Sequence, residues 1–342
     1  MCNTIILCGA YGQDNIGDRA ILTIALEDLR ATMPNADIVV LSRKPRKTRR
    51  EFGVKSFHLL NLPRLYFALR RAKLFIQGGG NLLQDATSRR SFWLYSKTLR
   101  MAKRAGCGVV LYACGLGPLS PTAQRRATKL LTDNVDAATF REAASATLAT
   151  PSRHEITADL AFRLMPSEAD DVLPAKAFAF ILRDWKGVNV TIFAAACEHV
   201  RDKHGLTPIL LLFARADMKL CRKVAQLVSC EVLPYIEDTR QCLTLVGQLR
   251  GVLSLRLHGL IFATSQNVPA AAIDFDGKLR AACEYMNNRH VLSLDDLTID
   301  PLKALIDAVL SETIPQARCD NMRQLAARNR ELLAEWAEEF DV

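Results

Sequence analysis

Short apolar runs alternate with longer amphipathic segments along almost the whole chain. Thr4–Cys8, Ile38–Leu41, Lys73–Gln77, Gly108–Ala113 and Ala137–Phe140 read as buried strands. Asp18–Met33, Phe92–Ala105 and Pro121–Asn134 carry apolar residues at helical spacing. Strands that are apolar throughout, separated by such helices, predict parallel βαβ units and a doubly wound sheet. The periodicity then lapses. Residues 165–176, MPSEADDVLPAK, combine two prolines with acidic residues and form the best linker candidate.

The alternation restarts after this break. Ala177–Leu182, Pro208–Phe213, Gly251–Leu255 and Pro269–Ile273 read as strands. Val190–Lys203, Met218–Val228, Thr239–Leu249 and a segment opening at Leu260 read as helices, and Pro315–Phe340 as a long amphipathic helix. The expected organisation is therefore a Rossmann-like domain over 1–168, a second over 169–314 and a terminal helix over 315–342. Two doubly wound halves facing a cleft make a GT-B-like architecture. Fold alone does not give a reaction.

Composition narrows the field. An excess of 45 Lys+Arg over 36 Asp+Glu, net +9, favours an acidic ligand or surface. Arg43, Lys44, Arg46, Lys47, Arg49 and Arg50 form a basic run suited to an anionic membrane face or a diphosphate headgroup. It lacks the interleaved aromatics that stack bases, which argues against nucleic acid. Ten scattered cysteines with no C-x-x-C pair read as buried thiols. The chain opens directly on an apolar strand with no signal-peptide pattern, and no apolar run approaches a membrane span. The expected location is cytoplasmic, with peripheral contact at the inner membrane face.

Chemistry concentrates where strands give way to helices. Ligands of open α/β sheets bind at the carboxyl ends of strands, and a following helix points its amides at the same spot. Arg256 and His258 stand between the run Gly251–Leu255 and the helix from Leu260. Arg141 and Arg183 each follow a strand in the same way. Lys278 opens a later helix behind Asp274-Phe275-Asp276, a D-x-D for which no further metal ligands are visible, so no metal is assigned. The first loop, Gly9 to Asp18, offers backbone amides to an anion, with Asp18 as the helix N-cap. A second loop holds three successive glycines, Gly78, Gly79 and Gly80, which suggest close approach of a ligand. Asn81, Gln84, Asp85, Thr87 and Ser88 follow with groups suited to sugar hydroxyls. Asp85 is the candidate general base there.

Three blocks, in order, resemble one family. GAYGQDNIGDRAIL, then GGGNLLQDATSRRSFWLYSK with GVVLYACGLGPL, then RLHGLIFATSQNVPAAAIDFDGK are similar to the polysaccharide pyruvyl transferases, with the CsaB branch nearest. The resemblance spans roughly residues 4–290. It implies a GT-B-like enzyme that uses phosphoenolpyruvate as co-substrate, without a cofactor. The pyruvyl group would pass to a pair of sugar hydroxyls as a ketal, with release of phosphate. In that branch the acceptor is a lipid-linked, N-acetylmannosamine-containing precursor, and the finished polymer anchors surface-layer proteins. One departure stands out: where the family commonly reads G-D-E-A, this chain reads Gly17-Asp18-Arg19-Ala20.

Joined to that resemblance, the residues suggest a division of labour. Phosphoenolpyruvate is dianionic or more, and planar guanidinium forks suit its carboxylate and phosphate. Arg141, Arg183, Arg256, His258 and Lys278 are the expected donor site. His258 is the expected general acid, assisted by Arg256 and by Asp85. Asn15, Gly17, Asp18, Gly79, Gly80, Asn81, Gln84, Asp85 and Ser88 are the expected acceptor site, with the acceptor carried on a polyprenyl diphosphate. Two other functions fit the same pattern: a GT-B glycosyltransferase using a sugar nucleotide, and a non-catalytic scaffold for envelope assembly.

Overall fold

The computed structural model describes residues 3–85, 89–148, 151, 153–168, 173 and 176–342. Contacts divide the chain into two compact units. The first takes residues up to Gln13, then Asp18–Arg163 and Gln324–Val342; the second takes Asp14–Gly17 and Leu164–Arg323.

The first unit is built on seven strands: β1 (Thr4–Cys8), β2 (Asp37–Ser42), β3 (Lys55–His58), β4 (Ala72–Leu83), β5 (Gly108–Leu116), β6 (Ala137–Phe140) and β7 (His154–Ile156). Every pairing is parallel, in the order β3-β2-β1-β4-β5-β6-β7. Strand order therefore reverses between β1 and β4. The crossovers run through α1 (Ile16–Thr32), α2 (Pro45–Phe52), α3 (Leu62–Leu69), α4 (Arg89–Arg104), α5 (Pro121–Asn134) and α6 (Ala143–Leu148). β1 and β5 are buried along their whole length, as strands covered on both faces must be. Local chemistry sets the helix starts. Ser120 caps α5 by accepting from the Ala123 amide, with Pro121 at the first helical position.

The second unit repeats the plan with six strands: β8 (Ala177–Ile181), β9 (Thr207–Leu210), β10 (Glu231–Val232), β11 (Gly251–Ser254), β12 (Ala270–Asp274) and β13 (Val291–Ser293). All pair in parallel in the order β10-β9-β8-β11-β12-β13, reversing between β8 and β11. Its helices are α7 (Val190–His204), α8 (Met218–Ala225), α9 (Thr239–Gly247), α10 (Leu257–Ser265), α11 (Lys278–Tyr285), α12 (Ile299–Leu310) and the first part of α13 (Gln316–Glu339). Phe178, Phe180, Phe193, Leu253 and Ile306 fill the layer between sheet and helices.

Three boundaries differ from the sequence expectation. Met165 and Ser167 belong with the second unit, because the Met165 carbonyl accepts from Arg240 and the Ser167 amide donates to Thr244 of α9. Residues 14–17 also belong there, far from it in sequence. The terminal helix is not a separate part. In the second unit, Cys319 and Arg323 of α13 both donate to the Ser265 carbonyl of α10. In the first, Asn329 bonds Thr157 and Ala158, and Arg328 pairs with Glu155 of β7. The rest of the linker candidate, residues 169–172, 174 and 175, lies outside the described residues. All nine described cysteines are free, and eight are buried; burial pushes the thiols of Cys8, Cys114 and Cys242 up to about 12. No described helix is long and apolar enough to cross a membrane.

One buried ion pair ties the first unit together. Asp28 of α1 has no exposed surface; Arg163 donates to both its oxygens at 2.5 and 2.6 Å, and the Tyr112 hydroxyl of β5 donates at 2.7 Å. Asp28→Ala leaves the partly buried Arg163 guanidinium and the buried Tyr112 hydroxyl without their carboxylate. Urea unfolding is expected to show a loss of roughly 3–5 kcal/mol. A loss below about 1 kcal/mol, the range of surface pairs, contradicts this reading.

Candidate active site

The carboxyl edge of the second sheet gathers Arg183, Arg256 and Lys278, three of the four donor-site cations expected from the sequence. β8 and β11 flank the reversal of strand order, and Arg183 follows one as Arg256 follows the other. Ser254 Oγ at the end of β11 accepts from the Arg256 amide at 3.0 Å and donates to the Arg256 carbonyl at 2.7 Å, turning the chain sharply. Arg256 is thus the extended N-cap residue of α10, with φ −125° and ψ 129°. Its side chain does not cap the helix. Nε and Nη2 donate to the two oxygens of Asp217, at 2.6 and 2.8 Å. Asp217 is almost wholly buried in a 3-10 turn, Arg215–Asp217, and also accepts from the Asp184 amide at 3.1 Å. A bidentate charged pair of this kind fixes the plane of the guanidinium.

Arg183 lies beside this pair. Its guanidinium carbon sits 4.8 Å from the Trp185 ring centre and 4.9 Å from that of Phe275. Burial and the neighbouring Arg256 charge pull the Arg183 guanidinium down from its ordinary value, against the opposing pull of Asp276 and Asp217. Among the described residues no carboxylate forms an ion pair with it. Two guanidiniums therefore share one edge, and Asp217 directly pairs only one of them. The charges of Asp217 and Asp276 act on Arg183 without bonding it.

His258 occupies the first turn of α10, and its ring lies against the backbone of Gly17. A Cβ at position 17 would overlap the imidazole. The first glycine loop thus makes room for this histidine. The loop is stitched to the second unit by its backbone: the Ile16 amide donates to Phe213 at 2.9 Å, and the Arg215 amide donates to Asp14 at 3.2 Å. Asn15 pairs with Ala214 in an antiparallel bridge, and its side chain accepts from the Gly17 amide at 3.0 Å. Asn15 and Gly17 therefore lie in the second unit with His258, apart from Asn81, Gln84 and Asp85 of the first.

Lys278 opens α11 at the same edge and pairs with Asp276 at 3.3 Å. The D-x-D has a structural use. Asp274 accepts from the amides of Gly277 and Leu279, both at 3.1 Å, and so organises the start of α11.

The first-unit candidates are engaged differently from expectation. Arg141 is buried between Glu142 and Asp159, each 2.9 Å away, and also bonds Asn81. With two carboxylates on one guanidinium it is a structural ion-pair centre and offers no free cation. Asn81 also donates to the Gly117 carbonyl at 2.8 Å. Asp85 accepts from the Ser120 hydroxyl at 2.6 Å and amide at 2.9 Å. Those bonds lower its pKa, the opposite of what a general base requires. Gln84 is buried. The triple glycine is not a loop. It lies within β4, where Gly78 meets Tyr11 and Gly79 meets Ile21, so close that a Cβ on either would clash. Protein side chains make the close approach expected of a ligand. Gly80 does adopt a left-handed φ of 82°, facing Asp18. Asp18 falls within the first turn of α1, which begins at Ile16, so it is not the N-cap. Arg19, the departure from the family pattern, pairs with Glu51 of α2 at 2.6 Å and lies over Phe52. Thr87 and Ser88 lie outside the described residues.

Sequence reasoning missed Asp217. It carries no motif, and only its contact with Arg256 reveals it. The contact of Gly17 with His258 joins two of the three family blocks and can be tested directly. Gly17→Ala is expected to cost roughly 1–3 kcal/mol through overpacking. In a His258→Ala background the same substitution is expected to cost almost nothing, as measured by a double-mutant cycle of urea unfolding. Equal costs in both backgrounds contradict the contact.

Comparison with known proteins bears on fold and on family separately. The S. aureus MnaA–UDP co-structure superimposes with a TM-score of 0.69 at 11% identity, covering 100% of this chain and 97% of that one. UDP-GlcNAc 2-epimerase from Methanocaldococcus jannaschii gives 0.66 at 9%, covering 97% and 99%. Acinetobacter baumannii MurG gives 0.57 at 9%, covering 97% and 99%. Identities this low show a shared GT-B-like fold and nothing of the reaction. Among curated proteins no sequence matches significantly. The sequence profile described as polysaccharide pyruvyl transferase matches residues 15–277, more than three-quarters of the chain and across both units. The chain therefore belongs to the polysaccharide pyruvyl transferase family.

Proposed function

We propose that this protein transfers the pyruvyl group of phosphoenolpyruvate to two hydroxyls of a sugar, forming a ketal. The acceptor in this reading is an envelope-polysaccharide precursor, of the polyprenyl-diphosphate-linked, N-acetylmannosamine-containing class. One observation carries the proposal: Arg183 and Arg256 crowd one strand edge, with His258 two residues beyond the cap. Binding of a dianionic or trianionic ligand would relieve the repulsion between the two guanidiniums.

In this mechanism Arg183, Arg256 and Lys278 hold the carboxylate and phosphate. Asp217 positions Arg256 and does not touch substrate. His258 gives a proton to C3 of the enol, and C2 becomes electrophilic. The first hydroxyl adds at C2, the bond from C2 to the phosphate oxygen breaks, and the second hydroxyl closes the ring. The two hydroxyl protons balance the one gained by C3 and the one carried off by phosphate. His258 regains its proton from an attacking hydroxyl. Arg141 and Asp85 have no part in this scheme.

The lipid end of such an acceptor calls for a basic surface. α2 carries Arg46, Lys47, Arg49 and Arg50 of the basic run, and Arg49 lines a hollow of about 790 Å³ with Lys55, Arg64, Arg70, Arg71 and the single carboxylate Asp37, with Phe67 exposed beside them. This supports peripheral docking at an anionic membrane face.

A second reading is glycosyl transfer from a sugar nucleotide. It is raised by the GT-B-like neighbours, which include glycosyltransferases and a protein solved with UDP. Product analysis separates the two. Incubation with phosphoenolpyruvate and a lipid-linked N-acetylmannosamine acceptor is expected to release phosphate and add the mass of a pyruvyl ketal. Addition of a hexose from a sugar nucleotide, with no reaction from phosphoenolpyruvate, decides for the second reading. Loss of a general acid typically costs about 10²–10⁴-fold, so His258→Ala is expected to lose turnover in that range. Full turnover in that variant removes His258 from the mechanism. Asp217→Asn is expected to raise KM for phosphoenolpyruvate, while Asp85→Asn leaves turnover near wild type.

A further inference from the structure

A second cluster of ligating side chains lies in the same unit and takes no part in the proposed chemistry. His199 and His204 stand in the last turns of α7, and Asp307 stands near the end of α12. α7 runs back from the end of β8 to the start of β9, so its C-terminal turns lie at the amino edge of the sheet. Arg256 and His258 occupy the other edge. Nε2 of His199 and Nε2 of His204 both meet the same oxygen, Oδ1 of Asp307, at 2.8 and 2.6 Å. The other oxygen, Oδ2, accepts from Lys203 at 2.7 Å. The two imidazoles meet edge to face, 5.5 Å between ring centres. All three ligating side chains are partly buried, yet solvent still reaches them. No other group of three His, Cys, Asp or Glu ligand atoms converges in this way among the described residues.

Hydrogen bonding alone requires a proton on each Nε2, and both must share one acceptor oxygen. A single divalent cation replaces those two protons and uses the same three atoms. Tetrahedral zinc has bonds of about 2.0–2.2 Å, which places its ligand atoms roughly 3.3 Å apart. The two N···O distances reach that spacing by opening about 0.5 and 0.7 Å, within the play of side-chain torsions. Two imidazoles and a carboxylate suit zinc and neighbouring transition metals, not calcium or magnesium. Lys203 on Oδ2 then acts as the outer partner that keeps the carboxylate monodentate. We propose that His199, His204 and Asp307 form a zinc-class site that clips the end of α7 to α12, with the fourth position left to water. The clip joins residues about a hundred positions apart, so it stabilises the second unit independently of the reaction at the opposite edge.

The test uses the untagged full chain after chelator treatment. Calorimetric titration with zinc chloride is expected to show one equivalent bound and a raised unfolding temperature. Cobalt(II) is expected to give tetrahedral ligand-field bands without thiolate charge transfer, which separates this site from the half-buried Cys230. His204→Gln and Asp307→Asn, each checked for metal-free folding by circular dichroism, are both expected to weaken binding more than about a hundredfold, since even outer partners are worth 10–100-fold. Cys230→Ser is expected to leave it unchanged. Absence of stoichiometric binding, full binding in both folded variants, or a thiolate band that disappears with Cys230→Ser would each overturn the proposal.

Discussion

The bidentate pair between Asp217 and Arg256 is the contact on which the site depends. A guanidinium at the end of β11 could point in many directions. Asp217 fixes it with two short bonds and is itself held by burial and by the Asp184 amide. Arg183 stands beside this pair, braced by Trp185 and Phe275, with the charges of Asp217 and Asp276 nearby. The orientation of the Arg256 guanidinium is thus set by the protein itself, which is what electrostatic preorganisation requires of a fixed charge. His258 inherits its place from the same turn, because the Arg256 cap starts the helix that carries it.

Much of this was legible in the sequence. Apolar strands and amphipathic helices marked both doubly wound sheets, and α5 and β6 fall on the expected residues. Arg183, Arg256 and Lys278 stood out in the sequence as cations where strands give way to helices, and the structure puts all three at one sheet edge. The short edge strands were not readable. β3, β7, β10 and β13 run from two to four residues and mix polar with apolar positions, too little for a period to show. Glycine was misread for a related reason. Sequence reveals that a Cβ is excluded at Gly78 and Gly79, not that Tyr11 and Ile21 exclude it.

Long-range charge pairing was the other blind spot. Arg141 looked like a free cation because its partners Glu142 and Asp159 carry no visible relation to it in a motif. Arg19 looked like a disruptive change at a family position. Glu51, 32 residues away, balances it, so the charge altered in one helix is compensated by its neighbour. The same lesson applies to Gly17, whose family loop proves to serve a histidine some 240 residues later in the chain.

The central claim is that the crowded guanidiniums at the ends of β8 and β11 bind phosphoenolpyruvate. Calorimetric titration of the full chain with phosphoenolpyruvate, and in parallel with a uridine-diphosphate sugar, tests it most directly. Saturable binding of phosphoenolpyruvate is expected, weakened more than about tenfold in Arg256→Gln by the loss of one charge-assisted bidentate contact. Binding of the nucleotide sugar with none of phosphoenolpyruvate, or phosphoenolpyruvate binding indifferent to Arg256, would contradict it.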